Sequence, residues 1–250
     1  MHLMEMSTGN LLVTEDTDDP VLNIAMDQYI AELSYEAVIH FYKWSKPAIT
    51  IGYFQKSSLF DLNLINKDNI AFIRRITGGN AIYHNDDISF AYIIKKGYKG
   101  ITKRSDLITF VSNALLRSLN ESGTSAKLKG GESDYKKSAS CFDTGVPNEI
   151  VSMNGDKIAG FALRELRDNF ILESSIFADN SNSVIIDRYL IDKNGSILPH
   201  IDYSINYDLV KKTLLKDLCG DDIRSVKTIS LELPRKFYDL YSSQEWNYRK

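Results

Sequence analysis

The chain has 250 residues, 43% of them hydrophobic and 25% charged, enough apolar material for a sizeable core and too much for a disordered chain. Its 30 lysines and arginines against 33 aspartates and glutamates leave a net charge of −3, which excludes a strongly basic surface and nucleic acid as a default partner. Two cysteines, Cys141 and Cys219, exclude a disulfide-stapled scaffold; with no apolar run near the ~18 residues of a membrane helix and no signal-peptide pattern, a reduced, cytoplasmic protein without a membrane partner is expected.

Nothing in the composition marks a linker or a repeat, so one domain over residues 1–250 is expected. Asp19 and Pro20 signal the start of a first helix, with Leu22, Ala25, Met26, Tyr29 and Ile30 on one face. Strands are predicted over Ala37 to Tyr42, Ala48 to Tyr53, Ile70 to Arg75 and Ile88 to Ile94, with a glycine-bearing loop from Thr77 to Asn80. A second helix runs from Ser105 to near Gly123 on the apolar positions Leu107, Phe110, Val111, Ala114, Leu115 and Leu119. Strands resume over Glu149 to Ser152, Lys157 to Leu163 and Phe170 to Phe177, with Asn154-Gly155 as a tight turn. Helix is expected again from about Tyr203 to Leu218 and after Ser242. This order predicts an α+β fold with a mixed, mostly antiparallel sheet and flanking helices.

Three segments carry chemistry. In R-R-I-T-G-G-N-A-I-Y-H-N, Arg74 to Asn85, a glycine pair lets main chain approach a ligand closely. Side chains alternate along a strand, so only one of Arg74 and Arg75 can face a given pocket. Taken alone, this segment fits a plain hairpin turn with a surface arginine equally well. In N-G-D-K-I-A-G-F-A, Asn154 to Ala162, Lys157 opens a strand that contains the close-approach position Gly160. Such a lysine is either a solvated side chain or a point charge for a carbonyl oxygen or phosphate. In K-K-S-A-S-C-F-D, Lys136 to Asp143, a cysteine sits in a polar loop near two lysines, which would raise its thiolate fraction. Cys219 closes an apolar helix face and reads as structural. No phosphate loop, G-x-S-x-G elbow, H-E-x-x-H or zinc-type cluster occurs.

In combination these segments resemble the lipoate–protein ligase and octanoyltransferase family. N-I-A-M-D-Q at Asn23 to Gln28 is similar to the family's N-L-A-L-D-E. P-A-I-T-I-G-Y-F-Q at Pro47 to Gln55 resembles its P-x-[IV]-x-[IV]-G-x-x-Q, and the R-R-x-T-G-G and G-x-K-[IV]-x-G-x-A motifs follow in the family's order. The resemblance implies a catalytic domain related to biotin protein ligases. It implies attachment of lipoate or octanoate to a lysine of a lipoyl carrier domain, in the glycine cleavage H protein or a 2-oxoacid dehydrogenase E2. S-A-S-C-F-D and the H-N-D-D-I-S-F spacing after His84 resemble the cysteine-dependent octanoyltransferases, which take the acyl group from acyl carrier protein without a cofactor or metal. The end of the chain soon after S-Q-E-W-N leads to the expectation of no C-terminal accessory domain.

By this resemblance Cys141 and Lys157 are the expected catalytic residues. Arg74, Arg75, Thr77, Gly78, Gly79, Asn80, Tyr83, His84, Gly160 and Ala162 are the expected substrate-binding residues. The alternative is an ATP- and Mg²⁺-dependent lipoate ligase, in which Lys157 holds the adenylate and Cys141 is incidental. An amidotransferase acting through Cys141 and a non-catalytic lipoyl-binding protein are more distant alternatives. The chain departs from the family pattern at Asn80, Asn85, Phe161 and Leu163, and a phenylalanine at 161 is expected to reshape the acyl pocket.

Overall fold

The computed structural model describes residues 10–15, 19–33, 35–44, 46–85, 87–130, 148–177, 186–191, 205–220, 227–229 and 232–249. Cys141 lies outside the described residues.

Strand β1 (Asn10–Glu15) precedes helix α1 (Pro20–Glu32). The Asp19 carboxylate accepts a 2.9 Å hydrogen bond from the Val21 amide, and Pro20 occupies the first turn, where its missing N–H costs nothing. Then come β2 (Ala37–Lys43), β3 (Ala48–Ile51), a short helix α2 (Leu62–Lys67) capped by Asp61, β4 (Ala71–Arg74), β5 (Ile82–His84) and β6 (Ile88–Lys95). Helix α3 (Arg104–Glu121) leads to β7 (Ala126–Leu128), β8 (Ile150–Ser152), β9 (Lys157–Glu165) and β10 (Asn169–Ile176). The described chain ends with α4 (Tyr207–Cys219), β11 (Lys227–Ile229), α5 (Arg235–Ser242) and α6 (Gln244–Asn247).

Eight strands form one sheet in the order β11-β1-β2-β6-β10-β9-β8-β7. The β11–β1 and β1–β2 pairs are parallel and the other five neighbouring pairs antiparallel. A second sheet, β4-β3-β5, is mixed. One face of the large sheet packs Phe41, Phe90 and Leu172 against Val111 and Leu115 of α3 and Val210 and Leu214 of α4. The other face packs Val38, Ile93 and Ile171 against Met26 and Ile30 of α1. Helix α1 is also covered from behind: Ile24 and Ala25 share a cluster with Phe237 and Tyr241 of α5. Buried Ile24 was absent from the apolar face predicted for this helix, because a helix held between two layers does not keep one simple stripe.

The strands β1, β5, β7 and β11 and the helices α2 and α5 have no counterpart in the sequence reading. The β5, β7 and β11 strands are only three residues long, too short for a period-two pattern. Among the described residues, no helix is long and apolar enough to cross a membrane.

Candidate active site

The register of the large sheet lays out a floor. His40, Ala91, Glu173 and Ala162 form one cross-strand row, and Tyr42, Ser89, Ser175 and Gly160 form the next on the same face. Ala91, Ala162, Gly160 and the two serines are small, so space remains above them. Thr50, Ile82 and His84 of the small sheet, Gly79 of the glycine loop and Ile24 of α1 close that space into a cleft of about 410 Å³, counted out to its open mouth.

A directed chain of hydrogen bonds stiffens one wall. Arg75 donates from Nη1 to Thr50 Oγ1, and Thr50 Oγ1 lies 2.8 Å from His84 Nε2. His84 Nδ1 lies 2.8 Å from Asp87 Oδ2. The arginine can only donate and the carboxylate accepts, so the hydroxyl donates to Nε2 and the ring carries its proton on Nδ1. Burial pulls the His84 pKa below its ordinary value, against the opposing pull of Asp87, and the ring is neutral at neutral pH. Trp44 stacks on it at 3.8 Å between centroids and donates from Nε1 to Ser89.

Two acids are buried beneath this wall. Asp27 accepts from Tyr42 and meets His40 Nδ1 at 2.7 Å, and desolvation raises its pKa well above the ordinary value. Glu173 accepts from the Thr77 hydroxyl and pairs with Arg75 Nε at 3.3 Å. Its pKa is nevertheless pushed up to about 7, because burial and the nearby Asp27 outweigh Arg75 and Thr77. The folded chain thus holds this proton more tightly than the unfolded chain, whose glutamates titrate near 4.5. The resulting stability is fully present below about pH 4.5 and is lost as pH rises through about 7. Its size is on the order of 3 kcal/mol. Glu173→Gln should therefore flatten the fall in melting temperature between pH 5 and pH 7.5; an unchanged slope would show that Glu173 does not titrate there.

At the other end of the floor, Lys157 Nζ pairs with Glu149 Oε1 at 2.5 Å, with both side chains buried. A Cβ placed on Gly160 would lie 2.7 Å from Lys157 Cε and 2.9 Å from Nζ. The lysine therefore folds over a bare main chain that is itself part of the cleft wall. The irregular β8–β9 pairing, where Ile150 faces Ala159 but Val151 faces Lys157, permits this.

A model of the lipoyl protein ligase A/B catalytic domain matches residues 19–216. The chain belongs to that family. It is an enzyme that transfers octanoyl or lipoyl groups. It is 25% identical over 266 residues to octanoyltransferase LipM of Lysinibacillus sphaericus, covering 92% of this chain and 95% of that one. Octanoyltransferase LipM of Exiguobacterium is 28% identical over 233 residues, 88% and 84% of the two chains. A bipartite lipoate protein ligase of Thermoplasma acidophilum, described with its E2 lipoyl domain, superposes with a TM-score of 0.74 at 20% identity, over 97% of this chain and 98% of that one. The last likeness concerns the fold, which is the mostly antiparallel lipoate-ligase catalytic fold expected from the sequence.

Of the family residues singled out in the sequence, Arg75, Gly79, His84, Gly160 and Ala162 line the cleft. Thr77, Gly78 and Asn80 hold its wall instead: Thr77 bonds Glu173, and the carbonyls of Gly78 and Asn80 accept from Arg75 Nη2 at 3.2 and 3.1 Å. Tyr83 alternates with Ile82 and His84 and packs on the far side of the small sheet, stacked on Tyr189. Arg74 also points away from the cleft. Its guanidinium donates to the carbonyls of Gly52, Tyr53, Gln55, Trp246, Asn247 and Arg249, tying the C-terminal helices to the loop after β3. Phe161 lines the cleft as well as packing against the core cluster that holds α3 and α4.

Sequence reasoning passed over Thr50, Trp44, Tyr42, Ser89, Glu173 and Ser175, which all line the cleft. All but Trp44 looked like ordinary strand residues, and no local signal in the sequence puts the six together. Glu149 was placed at a strand edge without a role; a glutamate eight residues before Lys157 carries no local signal. No group of three or more His, Cys, Asp or Glu side chains suited to a metal ion occurs among the described residues.

Gly52 was quoted only as part of a motif. A Cβ there would lie 1.8 Å from the Gly79 carbonyl oxygen, so the glycine loop seats directly on bare main chain. Backbone cannot swing aside as a side chain can. Gly52→Ala should cost roughly 1–3 kcal/mol or more in urea denaturation and displace the loop that closes the cleft. Wild-type stability with wild-type acyl binding would show that the two loops separate freely.

Proposed function

We propose that this chain is an octanoyltransferase of protein lipoylation that works in two steps through Cys141. The Cys141 thiolate attacks the carbonyl carbon of an octanoyl thioester on acyl carrier protein. The new C–S bond forms, the carrier thiolate leaves, and it takes up a proton. The ε-amine of a lipoyl-domain lysine then attacks the acyl-enzyme. The amide C–N bond forms, the C–S bond breaks, and the amine's proton passes to the Cys141 sulfur. The donor is already activated, so neither step draws on ATP.

The observation that carries this reading is the Lys157 ammonium lying over Gly160 at the edge of an apolar-walled cleft. A fixed cation there meets the carbonyl oxygen, where negative charge grows in both steps. Arg75, Gly79, His84, Gly160 and Ala162 surround the acyl chain, and Thr77, Gly78 and Asn80 support them. Arg74 and Tyr83 act on the scaffold. The acceptor is a lipoyl domain of an E2 subunit or of the H protein, presenting its lysine at the cleft mouth.

Intact-mass spectrometry after incubation with octanoyl–acyl carrier protein, without ATP, tests this directly. A covalent octanoyl adduct at Cys141 is expected. No adduct, together with lipoyl-domain modification only from free acid and ATP, would establish the lipoate-ligase alternative instead.

A further inference from the structure

The cleft is the gap between the two sheets: its floor belongs to the large sheet, and Thr50, Ile82 and His84 of the small sheet face it. At one end of β5 the chain itself joins the sheets, running from His84 to Ile88 of β6, and the His84–Asp87 pair braces that join. At the other end of β5 the join is not covalent. There the glycine loop meets the floor at a cross-strand pair, Glu173 of β10 and Ala162 of β9. Thr77 Oγ1 donates to Glu173 Oε2, and Arg75 Nε meets the same oxygen at 3.3 Å. A Cβ placed on Gly79 would lie 3.6 Å from Ala162 Cβ. Arg75 holds the loop from within, through Nη2 to the Gly78 and Asn80 carbonyls.

A glutamate on this floor is costly to bury. It is 6% exposed, and the side chains beside it in its row, Ala91 and Ala162, offer no hydrogen bond. Among the described residues it is the only carboxylate lining the cleft, and its Oε1 has no hydrogen-bond partner. An apolar side chain would suit an alkyl ligand better. What Glu173 contributes is therefore what Oε2 holds.

We propose that Glu173 is a positioning residue for acyl binding, which latches the glycine loop to the cleft floor through Thr77 and Arg75. The latch keeps Gly79 and Arg75 where they line the cleft, and it sets the width of the gap at the end that the β5–β6 connection does not fix. The proposal rests on the reading above that this cleft holds the acyl chain. With the latch released, the loop leaves the floor in a fraction of molecules, and apparent affinity falls in proportion to the fraction still closed.

The probe is octanamide, which has the octanoyl chain and its carbonyl but no leaving group and no titrating group. Its Kd is measured by calorimetry, with a thermal melt of each variant. Thr77→Val and Glu173→Ala should each raise the Kd about tenfold, the size of one buried hydrogen bond broken from one side. The double variant should bind no more weakly than Glu173→Ala, because both substitutions remove the same bond. Glu173→Gln keeps an acceptor for Thr77 and should bind within about threefold of wild type, a rescue that loss of a latch bond requires. If Glu173→Ala melts early, Thr77→Val and Glu173→Gln decide alone. A wild-type Kd in folded Thr77→Val, additive losses in a folded double variant, or a tenfold loss in folded Glu173→Gln would overturn the latch and leave the acyl reading of the cleft intact. Failure of wild type to bind octanamide would overturn both.

Discussion

Cys141→Ala is expected to abolish transfer from octanoyl–acyl carrier protein to a lipoyl domain. The two-step mechanism parks the acyl group on that sulfur, and no second thiol can replace it. Cys219 closes α4 against the α3/α4 side of the large sheet, the opposite face from the cleft. Burial pushes its thiol up to about 11, so it is not a thiolate at neutral pH. Cys219→Ser should therefore leave transfer at the wild-type rate. Cys141→Ser should keep at most a trace through a slow oxygen ester, because a hydroxyl is far less ionised than a thiol. The assay is mass spectrometry of the lipoyl domain, with thioester and no ATP in one arm and free octanoate with ATP and Mg²⁺ in the other. Full activity of Cys141→Ala in the second arm would overturn the transferase reading.

How much of this site could be read in the sequence depended on whether a residue's role is local. The cap at Asp19-Pro20, the turn at Asn154-Gly155 and the long strands follow from neighbours in sequence, and the structure has them within a few residues of where they were expected. Strand alternation alone separated Arg74 from Arg75, and the structure gives one to the scaffold and the other to the cleft. Alternation was not applied to Tyr83, and its side chain faces away from the cleft for that reason. What stayed hidden were cross-strand partnerships. Glu173 meets Arg75 across 98 positions of sequence, and Trp44 meets Ser89 across 45. A motif records which residues recur near one another, whereas a register decides which strangers share a floor.

Lys157→Ala should lower product formation by about 10²-fold or more, whichever acyl donor is used, because it removes the cation from the reacting carbonyl. That result alone would be ambiguous. Glu149 pairs with Lys157 at 2.5 Å with both side chains buried, so the single substitution also strands a carboxylate. Breaking a buried pair from one side costs about 3–5 kcal/mol, enough to unfold much of a marginal enzyme. The double variant Lys157→Ala/Glu149→Gln separates the two effects. It removes the stranded charge, so the denaturation midpoint should return most of the way to wild type. It restores no cation, so activity should stay at the level of Lys157→Ala. Glu149→Gln alone keeps the ammonium but not its anchor. It should retain more activity than either Lys157 variant, with the loss in kcat rather than KM, since the lysine is loosened rather than absent. Recovery of activity in the double variant would show that Lys157 serves only to neutralise Glu149, and would remove it from the chemistry.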